Sequence, residues 1–318
     1  MSVLITAPYN DEGLREIESM FGEIVYKPWK SNGSAFTAAQ LIDLLKSSRA
    51  TALITEHDLV TREVIEAFPD LQFIGVCRGT PSNLDLEAAK EKGIPVFYTP
   101  ARNAQAVVEL LLANVITLLR KTLPAIKWLE SGKWEAGAHT SYLQFKGAEL
   151  AGKTVGLVGF GAIGRRLANI LKEFPCKICY FDPYYTDQNK LYEKVDLETL
   201  FTKSDIVSIH LPNNKETAKM IDKNLIDKMS KEAIFVNTAR AAVVDREALL
   251  DAVKSERIRG AILDVFDQEP PDEIDYELIR HPHVLATPHI AGASFEVEDH
   301  HVTIMNDQLR DWQQKKAG

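Results

Sequence analysis

Cysteine is scarce. The chain of 318 residues has three, Cys77, Cys176 and Cys179. So few thiols build no disulfide framework for a chain this long, and a reducing compartment suits them better. Long apolar runs are missing too. No stretch of about 18 apolar residues occurs, which excludes a membrane-spanning helix. The first residues, Val3-Leu4-Ile5-Thr6, soon meet Pro8, Asp11 and Glu12, too short an apolar region for a secretory signal. Positive charge is in deficit: 37 Lys and Arg face 45 Asp and Glu, for a formal charge of -8. Without a dense basic block there is no electrostatic footprint for nucleic acid. Asn32-Gly33-Ser34 spells a glycosylation sequon, but in a chain with no secretion signal it reads as an Asn-Gly turn. A cytoplasmic protein that binds neither nucleic acid nor membrane is the expectation.

What is present is an ordinary globular composition, 45% hydrophobic and 26% charged. At about 100–200 residues per domain, the length favours two domains. Short apolar runs at Val3–Thr6, Glu23–Tyr26, Ala52–Thr55, Phe73–Val76 and Val96–Tyr98 alternate with helical patterns such as Ala38–Ser47. That order implies a parallel sheet covered on both faces. The stretch from Asn103 to Leu119 is then almost continuously apolar. It reads as a helix with Asn103 as N-cap, buried on most faces between domains or against a second copy of the chain. A loop-like stretch, Ser131–Gly147, precedes a second series of strands: Thr154–Gly159, Lys177–Phe181, Ile206–His210, Ala233–Asn237, Ala261–Val265 and Val284–Thr287. Six strands separated by helical stretches are the number a dinucleotide-binding domain needs. The tail, Ser294–Trp312, reads as a last helix that returns to the first domain.

The strand Thr154–Val158 runs into Gly159-Phe160-Gly161-Ala162-Ile163-Gly164, and a helical pattern follows. In such a G-x-G-x-x-G turn Gly159 permits the tight bend, Gly161 lets backbone approach a pyrophosphate, and Gly164 lets helix and strand pack closely. The free N–H groups at the helix start then face the anion. Asp182 ends the next strand, where an acid holds the ribose hydroxyls of NAD and would repel the 2′-phosphate of NADP. Three more ionisable residues stand just beyond later strand ends: Arg240, Glu269 and His289. Ligands of open α/β sheets bind beyond those ends, so the three can converge. A guanidinium suits a substrate carboxylate, an imidazole exchanges a proton with a hydroxyl or carbonyl, and a neighbouring carboxylate fixes that imidazole's tautomer.

These pieces resemble the D-isomer-specific 2-hydroxyacid dehydrogenase family. The match is carried by Glu149–Gly156, the glycine turn, His210-Leu211-Pro212 with Thr217, Asn237-Thr238-Ala239-Arg240, Asp264-Val265-Phe266 through Glu269-Pro270, and Thr287-Pro288-His289. The resemblance implies a triad of Arg240, Glu269 and His289, with His289 as acid/base and Arg240 and His289 also touching substrate. It implies a cofactor site for NAD that includes Gly159, Gly161, Ala162, Ile163, Gly164, Asp182, His210, Leu211, Pro212, Thr217, Thr238, Ala239, Arg240, Asp264 and His289. The implied fold class is α/β: two doubly wound parallel-sheet domains, a Rossmann NAD-binding domain over residues 101–290 and a discontinuous flavodoxin-like substrate domain from residues 1–100 and 291–318. A homodimer is also implied.

The family's substrate loop is usually glycine-rich, and its backbone N–H groups hold the substrate carboxylate. Here the loop reads Cys77-Arg78-Gly79-Thr80-Pro81-Ser82-Asn83-Leu84-Asp85, with Arg78 where glycine is common. Two readings stand for Arg78: a second anion site beside Gly79 that selects a phosphorylated or dianionic substrate such as 3-phosphoglycerate, or a structural ion pair. His210 likewise borders the cofactor or bonds backbone. Cys176-Lys177-Ile178-Cys179 spells C-x-x-C, but no second pair accompanies it, so it is read as structural. His281-Pro282-His283 is read as a turn, His300-His301 as helix surface and Trp134 as simple packing. No metal is expected. The activity expected is hydride transfer between NAD and a small 2-hydroxy or 2-oxo acid. Glycerate, hydroxypyruvate and lactate-like acids stay open beside 3-phosphoglycerate. The rivals are an NAD(H)-sensing, corepressor-like interaction protein and a hydrolase that borrows NAD.

Overall fold

The structure, a computed structural model, describes residues 1–132, 134, 138–188 and 191–317. It divides into two compact units. The first comprises Met1–Asn103 and Ser294–Gly318, the second Ala104–Ala293.

The first unit holds strands β1 (Val3–Ile5), β2 (Ile24–Tyr26), β3 (Ala52–Thr55), β4 (Ile74–Val76) and β5 (Val96–Tyr98), all parallel, in the order β2-β1-β3-β4-β5. This is the flavodoxin-like order. The strands are short apolar runs because both sheet faces are covered. Their period of two divides them: Leu4, Leu53 and Ile74 enter one core, while Val3, Ile5 and Ile54 enter the other. The helix Glu296–Ala317 closes the second core with Val302, Met305 and Leu309, spaced to share one helical face. It runs five residues beyond the expected end at Trp312.

The second unit holds β6 (Thr154–Val158), β7 (Lys177–Phe181), β8 (Glu193–Lys194), β9 (Ile206–Ile209), β10 (Ile234–Asn237), β11 (Gly260–Leu263) and β12 (Val284–Ala286). All pairs are parallel, in the order β12-β11-β10-β9-β6-β7-β8. Read from the other edge this is the Rossmann order with one strand added. The order reverses at β6, and the glycine turn lies at that switch point.

Several expectations need correction. The short strand β8 escapes a search for apolar patterns because both its residues are exposed. β11 ends at Leu263, before Asp264 and Val265, because the Asp264 side chain is turned to a loop role described below. The stretch 131–147 contains a helix, Ala138–Gln144. Tyr142 and Leu143 are 69% and 70% exposed, so no buried face betrays that helix in the sequence. The helix Ala104–Leu119, preceded directly by Asn103, packs Val108, Leu111, Leu112, Val115 and Leu119 into the core of its own unit. Ala113 and Ile116 remain exposed, so a single chain already buries most of it. Among the described residues no helix is long and apolar enough to cross a membrane.

Candidate active site

The glycine turn has the geometry its sequence demands. Gly159 sits at φ 93°, and a Cβ there would lie 2.7 Å from the His210 carbonyl oxygen. A Cβ on Gly164 would lie 2.4 Å from the Gly159 carbonyl oxygen, so strand and helix meet backbone to backbone. At Gly161 a Cβ would meet nothing within 4 Å. That residue caps the helix Ala162–Leu171, so open space fronts the free N–H groups of Ala162, Ile163 and Gly164. Asp182 stitches the turn: its carboxylate accepts from Phe160 N at 2.8 Å, and from Tyr184 N and Tyr185 N at 2.8 and 3.0 Å.

Around this turn two buried polar atoms, His210 Nδ1 and Thr238 Oγ1, have no protein partner. Buried polar groups are nearly always hydrogen-bonded, so each exception needs a ligand or an explanation. His210 shares a hydrogen bond between its Nε2 and Ser208 Oγ at 3.0 Å, and burial pushes its pKa down to about 4. It is therefore neutral near pH 7. Leu211 is packed in the core, while Thr217 fastens the following loop by donating to the Pro212 carbonyl at 2.6 Å. An open cradle with orphaned polar atoms at the ends of β9 and β10 fits a dinucleotide.

The three ionisable candidates lie beyond β10, β11 and β12, which are adjacent in the sheet. Neighbouring strands are about 4.8 Å apart, so their carboxyl ends form one short rim. His289 donates from Nδ1 to Glu269, with both carboxylate oxygens at 2.8 Å. The pair is about half exposed, at 48% and 43%. With Nδ1 committed, Nε2 is the nitrogen left for substrate. His289 sits at φ 53°, a left-handed conformation that non-glycine residues avoid. Asp264 enforces it. That carboxylate is 1% exposed and accepts from Thr287 Oγ1 at 2.6 Å, Ile290 N at 2.9 Å and Ala291 N at 2.7 Å, pinning both sides of the histidine turn. Arg240 is exposed and donates to the Ala239 carbonyl. Its loop is closed by Asn237, whose Nδ2 donates to the Arg240 carbonyl and whose Oδ1 accepts from Ala239 N.

In the first unit, Arg78 follows β4. Its Nη1 lies 3.2 Å from His57 Nδ1. Gly79 and Thr80 are exposed, and their N–H groups donate to no other described residue. Behind Arg78 stands a cluster that no sequence motif marks. Glu56 is 5% exposed and accepts from Arg102 Nη1 at 2.6 Å and from Trp29 Nε1 at 2.9 Å. Arg102 also donates to Nδ1 of His301 at 2.9 Å, and His301 Nε2 donates to the Pro8 carbonyl. His301 is fully buried rather than on a helix surface as expected. Glu56-His57-Asp58 directly follows β3, so the rule that ligands lie beyond strand carboxyl ends was the available signal.

Cys176 and Cys179 are free thiols. Cys176 donates to the Leu150 carbonyl, and Cys179 Sγ lies 3.7 Å from Ser204 Oγ. Trp134 packs on Trp128 with ring centroids 6.2 Å apart. His281 Nδ1 accepts from His283 N within their turn. No cluster of three or more potential metal ligands occurs among the described residues. A cavity of 790 Å³ opens at the amino ends of β11 and β12, lined by Leu118, Lys121, Lys146, Ile258 and Leu285 among others. None of the candidate residues lines it.

Residues 112–291 match the sequence model of the NAD binding domain of the D-isomer specific 2-hydroxyacid dehydrogenases. The chain belongs to this family. It is 56% identical over 317 residues to a Bacillus subtilis protein, YoaD, named provisionally as a 2-hydroxyacid dehydrogenase, covering 100% of this chain and 92% of that one. It is 41% identical over 240 residues to the hydroxypyruvate reductase of Thermotoga maritima, covering 75% and 76%. Among solved structures it resembles an acyclic imino acid reductase in complex with NADPH and D-Arg, at TM-score 0.82 and 26% identity, covering 99% and 98%. The protein is thus an oxidoreductase, an NAD-dependent 2-hydroxyacid dehydrogenase, with two doubly wound parallel-sheet units.

Proposed function

We propose that the protein interconverts a small D-2-hydroxy acid and its 2-oxo acid, with His289 as the acid/base. The bonded His289–Glu269 pair carries this reading, because one imidazole nitrogen is fixed by a carboxylate and the other is left for substrate. Bound NADH supplies the hydride that reduces the carbonyl carbon. The protein's own part is proton transfer, charge and orientation. Nε2 of protonated His289 gives its proton to the carbonyl oxygen, and takes it back in the oxidative direction. Glu269 holds the ring in place by accepting from Nδ1. Arg240 binds the substrate carboxylate with its planar donor fork and polarises the carbonyl. The loop at Arg78 and Gly79 offers further donors to the substrate's anionic groups.

In this reading the second unit is the NAD-binding domain. Gly159, Gly161, Ala162, Ile163 and Gly164 take the pyrophosphate and Asp182 takes the ribose. His210, Leu211, Pro212, Thr217, Thr238, Ala239, Arg240, Asp264 and His289 border the rest of the dinucleotide. The first unit is the substrate domain. The substrate carries a second anionic group, as phosphohydroxypyruvate and 3-phosphoglycerate do. The working form is a homodimer in the cytoplasm. Leu123, Ile126 and Leu129 recur at threes on the helix Thr122–Glu130 and are 45–53% exposed, an apolar face that a second copy would cover.

The test is NADH oxidation against a panel of 2-oxo acids that includes glyoxylate, hydroxypyruvate and phosphohydroxypyruvate, with His289→Ala as the control. A general acid is typically worth about 10²–10⁴-fold, so the variant loses that much kcat while still binding NADH. Near-wild-type turnover in His289→Ala refutes the assignment. If no acid is reduced while NADH alters oligomerisation or partner binding, the protein is a dinucleotide sensor instead. Sedimentation in wild type and in Ile126→Glu decides the dimer.

A further inference from the structure

Glu269 lies between β11 and the helix Glu273–Ile279, on a stretch crowded with acids. Asp267, Glu269, Asp272, Glu273 and Asp275 all fall within residues 267–275, with no Lys or Arg among them. Like charges this close repel one another and tend to spread the loop. One guanidinium gathers them. Arg246 Nε lies 3.1 Å from Asp267 Oδ2, and its Nη1 lies 2.8 Å from Asp272 Oδ2 and 3.4 Å from Asp275 Oδ2. Asp267 and Asp272 are the two feet of the turn that carries Glu269. Asp272 is fixed a second time, because it caps the helix by accepting from Asp275 N at 3.1 Å. Asp275 is buried, which pushes its carboxyl pKa up, and Arg246 is the cation that opposes this. The four side chains are 4–33% exposed, so water screens this network less than an exposed ion pair.

We propose that Arg246 is a positioning residue for Glu269: it ties both feet of the loop that carries this carboxylate, and so keeps the carboxylate on Nδ1 of His289. This rests on the reading of His289 as the acid/base. Arg246 opens the helix Arg246–Lys254, a place where a cation opposes the helix dipole. Its side chain therefore serves the neighbouring loop rather than its own helix. Glu269 is 43% exposed, and among the described residues its side chain bonds only to His289. Its position is thus set by the loop beneath it. Pro270 and Pro271 follow directly, and their rings fix φ, so a shift of the feet carries to the tip. When the guanidinium is removed, the acids of the loop repel, the feet part and Glu269 is drawn off the imidazole.

The test reads the tautomer of His289 by ¹⁵N NMR, which a merely structural role for Arg246 leaves unmoved. In wild type the neutral ring carries its proton on Nδ1, where Glu269 accepts it. In Arg246→Ala the carboxylate leaves and the proton moves to Nε2, the tautomer that a free imidazole side chain prefers. An unchanged tautomer overturns the proposal. Turnover of glyoxylate gives a second readout. In Arg246→Ala kcat falls by about 10²-fold, the effect of misplacing a catalytic group by about 1 Å, while the Kd for NADH stays the same. In a Glu269→Ala background the same substitution lowers kcat no further, because no carboxylate is left to misplace; a full additive loss there overturns the coupling. If Arg246→Ala does not fold, Asp267→Ala frees one foot and leaves the helix cap in place. It moves the tautomer in the same direction, and an unmoved tautomer in that variant counts equally against the proposal. Failure of the acid/base reading shows separately: His289→Ala then turns over normally, while the tautomer shift in Arg246→Ala remains.

Discussion

Asp264→Ala tests whether the active histidine is held by its neighbours or merely happens to lie near them. The wild-type carboxylate is buried and accepts three hydrogen bonds, from Thr287 Oγ1, Ile290 N and Ala291 N. Hydrogen bonds to a charged group are worth about 1.5–3 kcal/mol each. Thr287 and Ile290 regain water in the variant, Ile290 being 42% exposed. The Ala291 residue is 3% exposed, so its N–H is stranded at a cost of about 1–3 kcal/mol. We expect a net loss of about 3–5 kcal/mol. For a unit of this size each kcal/mol lowers Tm by about 2–4 °C, giving about 6–20 °C in calorimetry. The His289 conformation at φ 53° costs about 1–2 kcal/mol, so the freed turn relaxes and carries the imidazole off its position. Turnover then falls by about 10²-fold at temperatures where the variant is folded, within the range a general acid supplies. Asp264→Asn keeps part of the accepting capacity and falls between. If Asp264→Ala melts like a surface variant and turns over at the wild-type rate, the turn is held by something else and the reasoning fails.

Other outcomes follow from the same geometry. Gly161→Ala folds with unchanged Tm, since its Cβ enters open space, yet it weakens NADH binding in fluorescence titration; Gly159→Ala, whose Cβ would lie 2.7 Å from a carbonyl oxygen, loses stability as well. Equal Tm losses in the two would show that the space at Gly161 is not ligand space. Asp182→Ala raises kcat/KM for NADPH relative to NADH by about tenfold or more, because each decade needs only about 1.4 kcal/mol of removed repulsion; an unchanged preference would remove Asp182 from that role. Glu56 predicts an acid limb in stability. Burial raises its carboxyl pKa, but the Arg102 guanidinium, the Trp29 N–H and His57 together hold it below the usual value. A depressed folded pKa stabilises above the unfolded value of about 4.3 and is lost as pH falls through the lowered one. Urea midpoints measured against pH therefore flatten below about pH 4 in Glu56→Gln, and a limb as steep as wild type would contradict this.

Much of the fold was legible because the responsible signals are local. Apolar runs of strand length alternating with helical spacing specify parallel sheets, and the glycine turn marks which sheet binds the dinucleotide. The elements that escaped lack such a signal. β8 has two exposed residues, and the helix Ala138–Gln144 buries no apolar face, so neither leaves a pattern in the sequence. The histidines show the same limit. His300-His301 read as a surface pair, whereas His301 is buried against Pro8 and Arg102, partners far from it in the chain.

The sequence by itself determined the family, the two doubly wound sheets and the identity of the ionisable residues at the strand ends. Residue type and spacing suffice for these, because backbone geometry and hydrophobic periodicity act over a few residues. Only the tertiary structure decided what each group does with its second contact. It committed His289 Nδ1 to Glu269, assigned Asp264 to the loop that bends His289, and set His57 between Arg78 and Glu56. Hydrogen bonds fall off within a fraction of an ångström and join residues 20 or more positions apart, as with His289 and Glu269 or Arg78 and His57, so no linear pattern encodes them.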